Sequence, residues 1–185
     1  TLVERENGLK SLISAVAALD GKMMDPSGAR LVSAPDGKVF SLDEVEAFLE
    51  PALKAFPYDA TADPRKDPVM KPCQDVVAKR VTEGTAALDK GDLAAAEKHY
   101  RGAVKIIPDH AGLQPLRDAL VGKRVAAIND SIAKFAFDDA EKQLAALTGL
   151  DPKNKQIEDL DFKLKGEKVA RRTFDVPRNA STTVR

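Results

Sequence analysis

Five side chains in this sequence are of types that do chemistry unaided by a cofactor motif: Cys73, His99, His110 and the serine-acid pair in SLDE, Ser41 and Glu44. Cys73 is the single cysteine, which excludes an internal disulfide framework and leaves a nucleophile or redox thiol as the reactive alternative. It sits in MKPCQ, at a predicted helix start, where a helix dipole favours a thiolate. No histidine lies near it in sequence, so it is read as an inert thiol. His99 adjoins Tyr100 on a predicted helix and His110 opens the next one, and neither has a signposted Ser, Cys or acid to work with. Ser41 and Glu44 have the spacing of a helix capping box, and the acids of SLDEVEAFLE suit a solvated helix face.

Other chemistry lacks its motif. Neither GxxxxGK[ST] nor GxGxxG is present, so there is no phosphate loop. There is no CxxC and no HExxH. Asp20-Gly21-Lys22 and Asp36-Gly37-Lys38 lack the series of oxygen donors of a calcium loop. Asn179-Ala180-Ser181 fits the glycosylation pattern, which matters only in a secreted eukaryotic protein. The chain is therefore expected to be no enzyme, with no catalytic residue, no cofactor and no metal.

The 29 basic residues balance 29 acidic ones, which argues against a general nucleic-acid or membrane-surface binder. No run of 18 apolar residues exists, so no direct membrane insertion is expected. The apolar content of 43% supports a core, but 5% aromatic and no Trp make it one of Ala, Leu and Val. The chain begins with Thr1 and shows no signal-peptide pattern, as expected of a processed form or a portion of something longer. The compartment stays open, since few cysteines suit a bacterial periplasm and a cytoplasm alike.

The elements that would position any site are mostly helical. Leu9, Leu12, Ile13, Val16 and Leu19 mark a first helix stopped at Asp20-Gly21. Asp25-Pro-Ser-Gly28 signals a turn, and LVS (31–33) and KVF (38–40) flank Pro35-Asp36-Gly37, which reads as a β-hairpin or a loosely extended excursion. The helix after Ser41 meets Pro51, which is expected to kink or split it. Residues 57–72, rich in proline, form a linker between a small α-rich unit (1–56) and a helical array (73–172) on which that unit is expected to pack. The tail 173–185 is polar and basic, and is expected to be extended.

Within the array, GTAALDKGDLAAAEKHYRGAVKIIPD has two alanine-rich runs split by Gly91-Asp92 and closed by Pro108. Ala96-Glu97-Lys98 returns 44 residues later as Ala140-Glu141-Lys142, and Tyr100, Ala103 and Pro108 correspond to Leu144, Leu147 and Pro152. Such self-similarity marks stacked helix pairs. A longer helix between the copies is predicted from about 109 to 135, and a charged last helix carries Ile157, Leu160, Leu164 and Val169 on one side.

This pattern resembles the tetratricopeptide repeat. From Val77 to His110, Gly84 stands at the family's small position, Gly91-Asp92 at its turn, and Ala96, Tyr100, Ala103 and Pro108 at its second-helix and closing positions. From Val121 to Asn154 the match keeps Phe137, Ala140 and Pro152, but departs at Ile128 and Leu147. The spacing also exceeds the family's roughly 34 residues. The resemblance, over about 73–172, implies an all-α stack of helix pairs whose first helices line a groove for a peptide or helix of another protein. Groove positions hold Ala78, Val81, Thr82 and Thr85, then Gly122, Val125, Ala126 and Asn129. Only Asn129 fits the family's carboxylate clamp, so a mostly apolar groove of Val81, Thr85, Leu88, Val125, Asn129 and Ile132 is expected. The expected function is an adaptor or assembly factor. The alternatives are a permanent structural subunit of a larger complex, an accessory domain of a longer enzyme, or a groove filled by the chain's own N-terminal unit or last helix.

Overall fold

A computed structural model describes residues 2–24, 30–35, 38–56 and 70–174, with backbone alone at 70 and 172–174. The turn at 25–28, the Asp36-Gly37 turn, most of the 57–72 linker, Asn179 and most of the basic tail lie outside the described residues. Those described form seven helices and one two-stranded antiparallel sheet. No helix among them is long and apolar enough to cross a membrane. The chain divides into two compact units, Thr1–Leu116 and Arg117–Arg185. The division falls inside a helix.

The first unit opens with α1 (Leu2–Leu19), β1 (Lys22–Met24), β2 (Leu31–Ser33) and α2 (Leu42–Ala55). α1 starts seven residues before the predicted apolar face and buries a different stripe: Gly8, Leu12, Ala15, Ala17 and Ala18. The reason is the close crossing with α2, where a methyl at Gly8 would stand 2.5 Å from Ala55 Cβ. Small side chains admit that approach, and Leu9, Ile13 and Val16 are left outside at 44, 44 and 40% exposure. The hairpin also differs from expectation. LVS is a strand, but its partner is Lys22–Met24, in the register Met23 opposite Val32, while residues 38–40 are not strand. α2 runs through Pro51 without a break. Pro51 and Ala47 are both exposed, so water can hydrate the Ala47 carbonyl that proline leaves without a donor.

α3 (Met70–Asp89) takes in the last residues of the expected linker, with Pro72 in its first turn, where a missing N–H is tolerated. It pairs with α4 (Leu93–Ile106), whose N-cap Asp92 accepts from Ala95 N–H at 2.9 Å. One core joins both helix pairs: Leu12, Ala15, Val45, Leu49 and Ala52 pack with Cys73, Val76, Val77, Ala103 and Ile106. Cys73 lies in the first turn of α3, as expected, but is fully buried there, so the thiol is out of reach of reagents.

The second unit holds α5 (Leu113–Ala133) from Arg117 onward, α6 (Phe137–Leu150) and α7 (Gln156–Phe174) around Ile128, Ile132, Ala140, Leu147, Leu160 and Leu164. α5 is shorter than expected at both ends. Phe135, at the expected end of that helix, lies beyond it and is 49% exposed, and Val169 of α7 is 64% exposed.

The 44-residue offset recurs in the backbone hydrogen bonds. Gly91 N–H donates to Leu88 O, and Phe135 N–H to Ile132 O, each at 3.0 Å. Asp92 and Ala136 N–H reach Ala87 O and Ser131 O at 2.9 and 2.8 Å. Ile107 and Asp151 N–H close the second helices on Ala103 O and Leu147 O. Even the side-chain bridge repeats: Gly112 N–H donates to His110 Nδ1 at 3.1 Å and Gln156 N–H to Asn154 Oδ1 at 2.9 Å. α2, α4 and α6 are each 14 residues long. The described residues with positive φ, Gly21 (68°), Gly91 (77°) and Phe135 (58°), all follow the first helix of a pair. The left-handed turn there is a shared requirement.

Two glycines should therefore respond oppositely to alanine. Gly91→Ala places a side chain at φ 77° with nothing within 4 Å to compensate, and should destabilise by about 1 kcal/mol. Gly122→Ala, inside α5 and facing open space, should stabilise by about 0.5–1 kcal/mol. Urea titration of each variant measures both.

Candidate functional site

A cleft of about 990 Å³ in the first unit is walled by the end of α1, residues 39–45, the middle of α3, and Lys98 and His99 of α4. Its shape is fixed at the start of α2. Ser41 Oγ accepts from Glu44 N–H at 3.3 Å, and Ser41 N–H donates to Glu44 Oε2 at 2.9 Å, completing the capping box. Lys38 Nζ donates to Glu44 Oε1 at 2.8 Å and lies 4.7 Å from the Phe40 ring centre. The Lys38 bond, with the Ser41 amide second, lowers the Glu44 pKa.

The cleft is organised by Arg80, which is 2% exposed on an otherwise apolar helix face. Its Nε donates to Glu46 Oε1, its Nη2 to Asp43 Oδ1 at 2.7 Å, and its Nη1 stands 3.5 Å from His99 Nδ1. Lys98 Nζ donates to the second oxygen of Asp43, and His99 Nε2 is 3.7 Å from Glu83 Oε2. Lys79 Nζ donates to Leu19 O at 3.2 Å, tying α3 to the end of α1. The hydrogen bonds from Lys98 and then Arg80 hold the Asp43 pKa at about 2. Burial pushes the Arg80 pKa down, but the Glu46 and Asp43 carboxylates outweigh it and the pKa is raised. A guanidinium this dry is tolerable because its fork meets two carboxylates.

Backbone spacing makes room for it. A methyl at Gly102 would stand 2.6 Å from Arg80 Nε, so the glycine on α4 is the cradle in which the guanidinium lies. The second unit has a similar buried arginine 44 residues on: Arg124, 5% exposed, whose Nη1 donates to Gln143 Oε1 at 2.6 Å. Gln143 stands where His99 does in the first copy. Lys168 Nζ of α7 donates to Glu141 Oε1 at 2.6 Å.

Chemically the cleft is a network of paired charges. Ser41 is committed to the cap, its hydroxyl donating to Glu44 Oε2 at 3.1 Å. His99 faces Arg80 and Glu83, and His110 serves a turn, so neither histidine addresses a nucleophile in this arrangement. Among the described residues no group of three His, Cys, Asp or Glu is placed to hold a metal ion.

The six expected groove residues lie elsewhere. In the first unit Val81 is half-buried against the core, Thr85 is exposed with its hydroxyl donating to Val81 O at 2.9 Å, and Leu88 is buried at 5%. In the second, Val125 packs half-buried on the core and Ile132 is inside it at 3%. Asn129 Nδ2 donates to Val125 O at 3.0 Å, and its Oδ1 accepts from Lys163 Nζ at 2.8 Å. None of the three in the first unit lines the cleft. Arg80, Asp43, Glu46 and Lys98 escaped the sequence reading. The available signal was the arginine recurring 44 residues apart inside an apolar stripe, at 80 and 124.

Gly102→Ala should cost about 1–3 kcal/mol by displacing the guanidinium, and most of that penalty should vanish in an Arg80→Ala background, a coupling read by a double-mutant cycle. A pH series tests Asp43. Its folded pKa of about 2 lies below the ordinary aspartate value of 3.8, so its contribution is present above 3.8 and lost as pH falls through about 2. Asp43 is half-exposed, so solvent screening reduces that contribution to about 1 kcal/mol. Urea denaturation from pH 5 to pH 2 should show wild type losing that much more than Asp43→Asn.

No protein-family model matches this chain, and neither a curated protein nor a solved structure matches it.

Proposed function

We propose that the chain is a non-catalytic interaction module of tetratricopeptide-like design, holding a peptide or helix of a partner protein on the outward faces of its first helices. The observation that carries this reading is the recurrence, at 44 residues, of a helix pair with the same turn, closing bonds and buried cation. Repeated pairs of this kind leave one face of each first helix outside the core. On α3 that face carries exposed Ala78, Thr82 and Thr85. On α5 the corresponding residues are Gly122 and Ala126, both exposed, and half-buried Asn129. Short side chains there let a bound segment approach the helix backbone, as its main-chain groups need. Leu88 and Ile132 belong to the cores in this reading, and contact falls to their exposed neighbours. The ion network around Arg80 holds the helix pairs in place behind that surface.

The test compares partners retained from lysate by wild type, by Ala78→Arg/Thr82→Arg, and by Ala94→Arg on the exposed side of α4. A stoichiometric partner lost with the α3 variant and kept by the α4 control is the expected result. Equal retention by all three excludes the α3 face. Val125→Glu is unsuitable, because that side chain packs on the core of the second unit.

A further inference from the structure

Helix α1 buries one stripe on α2 and leaves another bare. Leu2, Leu9, Ile13 and Val16 are 88, 44, 44 and 40% exposed, and at helical spacing they share one face. The series Leu2, Glu6, Leu9, Ile13, Val16, Asp20 steps by four and three in alternation, the spacing of a helix-to-helix seam. We propose that this face docks against α1 of a second copy of the chain, antiparallel, about a two-fold axis at Leu9.

Three observations point to a copy. Leu2, Leu9 and Val16 are evenly spaced by seven, so a two-fold axis at Leu9 sets Leu2 of each chain on Val16 of the other. The charged residues of α1, Glu4, Arg5, Glu6 and Lys10, all lie in its first half, and residues 11–19 carry none. Antiparallel pairing sets the charged half of each helix against the uncharged half of the other. Parallel pairing would stack Glu6 on Glu6 and Lys10 on Lys10, a like-charge penalty. The four side chains together offer roughly 400 Å² of apolar surface, close to the apolar share of one face of a standard protein interface. That places the dimer at the weak end, with dissociation in the micromolar range. This inference is independent of the partner-binding reading of α3 and α5.

Sedimentation equilibrium from about 1 μM to 1 mM is the measurement. Wild type should pass from monomer to dimer. Leu9→Lys, which sets two ammonium groups on the axis, should raise the dissociation constant at least about 100-fold. Mixing Leu9→Lys with Leu9→Glu should restore a heterodimer. Circular dichroism checks that each variant keeps its helices, as expected at a half-exposed position. A Leu2→Cys/Val16→Cys variant should cross-link between copies, whereas Val16→Cys alone should not, since its two copies lie about 20 Å apart along the seam. Cys73 is buried and leaves that assay clean. A monomer throughout the range overturns the proposal. So does a dimer that survives Leu9→Lys, or one that cross-links through Val16→Cys alone, or a wild-type monomer whose bare face retains some other protein.

Discussion

Paired helices in this protein stand close enough that the side chains between them must be small, and the remaining structure is an accommodation to that distance. Gly8 sits on Ala55, Gly84 against Leu116 and His99, and Ala96, Ala103 and Ala140 are wholly buried between helices. Close packing of small side chains gains dispersion contacts along the helices but buries little apolar area per residue. Without tryptophan and with few aromatics, the cores depend on leucine and isoleucine, such as Leu49, Leu120, Ile128 and Leu147. The closeness also explains how an arginine comes to lie inside. Gly102 removes the side chain that would fill the space, and the Arg80 stem and guanidinium occupy it.

The buried arginine links two levels of organisation. Through Asp43 and Glu46 it connects α2 to α3, and through His99 it touches α4, so one side chain spans two helix pairs of the first unit. Loss of one partner in such a network exposes the others to an uncompensated charge. Its geometry therefore fixes which way the pairs stack more firmly than apolar contacts alone, which tolerate sliding.

Much of the helical plan was legible in the sequence because turns are local. Gly91-Asp92, Pro108 and the Ser41–Glu44 box declare themselves through one residue's backbone freedom or one short hydrogen bond. The 44-residue offset was legible for the same reason, as alanines at contact positions. Tertiary choices were harder to read. α1 offers a stripe of large apolar residues and a stripe of small ones, and only the closeness of α2 decides that the small one turns inward. LVS needs a partner, and Lys22–Met24 lacks the β-branched and aromatic residues that mark a strand. Arg80 reads as a surface cation until the carboxylates from a helix 34 to 37 residues earlier are placed beside it. Phe135 reads as the end of the long helix, but it occupies a turn with a left-handed backbone and its ring is half-exposed.

The repeated closing bonds bear on how such a chain can change its length. Each pair ends with its second helix capped by its own carbonyl, Ala103 or Leu147, and the next begins with a bridge made within three residues, at His110 or Asn154. A join between equivalent points 44 residues apart would find the same local donors and acceptors on both sides of the cut. Whole repeats can therefore be gained or lost without a new loop having to be invented, whereas a change of a few residues would break the phase between turn, cap and buried arginine. Growth by quanta is the form of variation this backbone admits most easily.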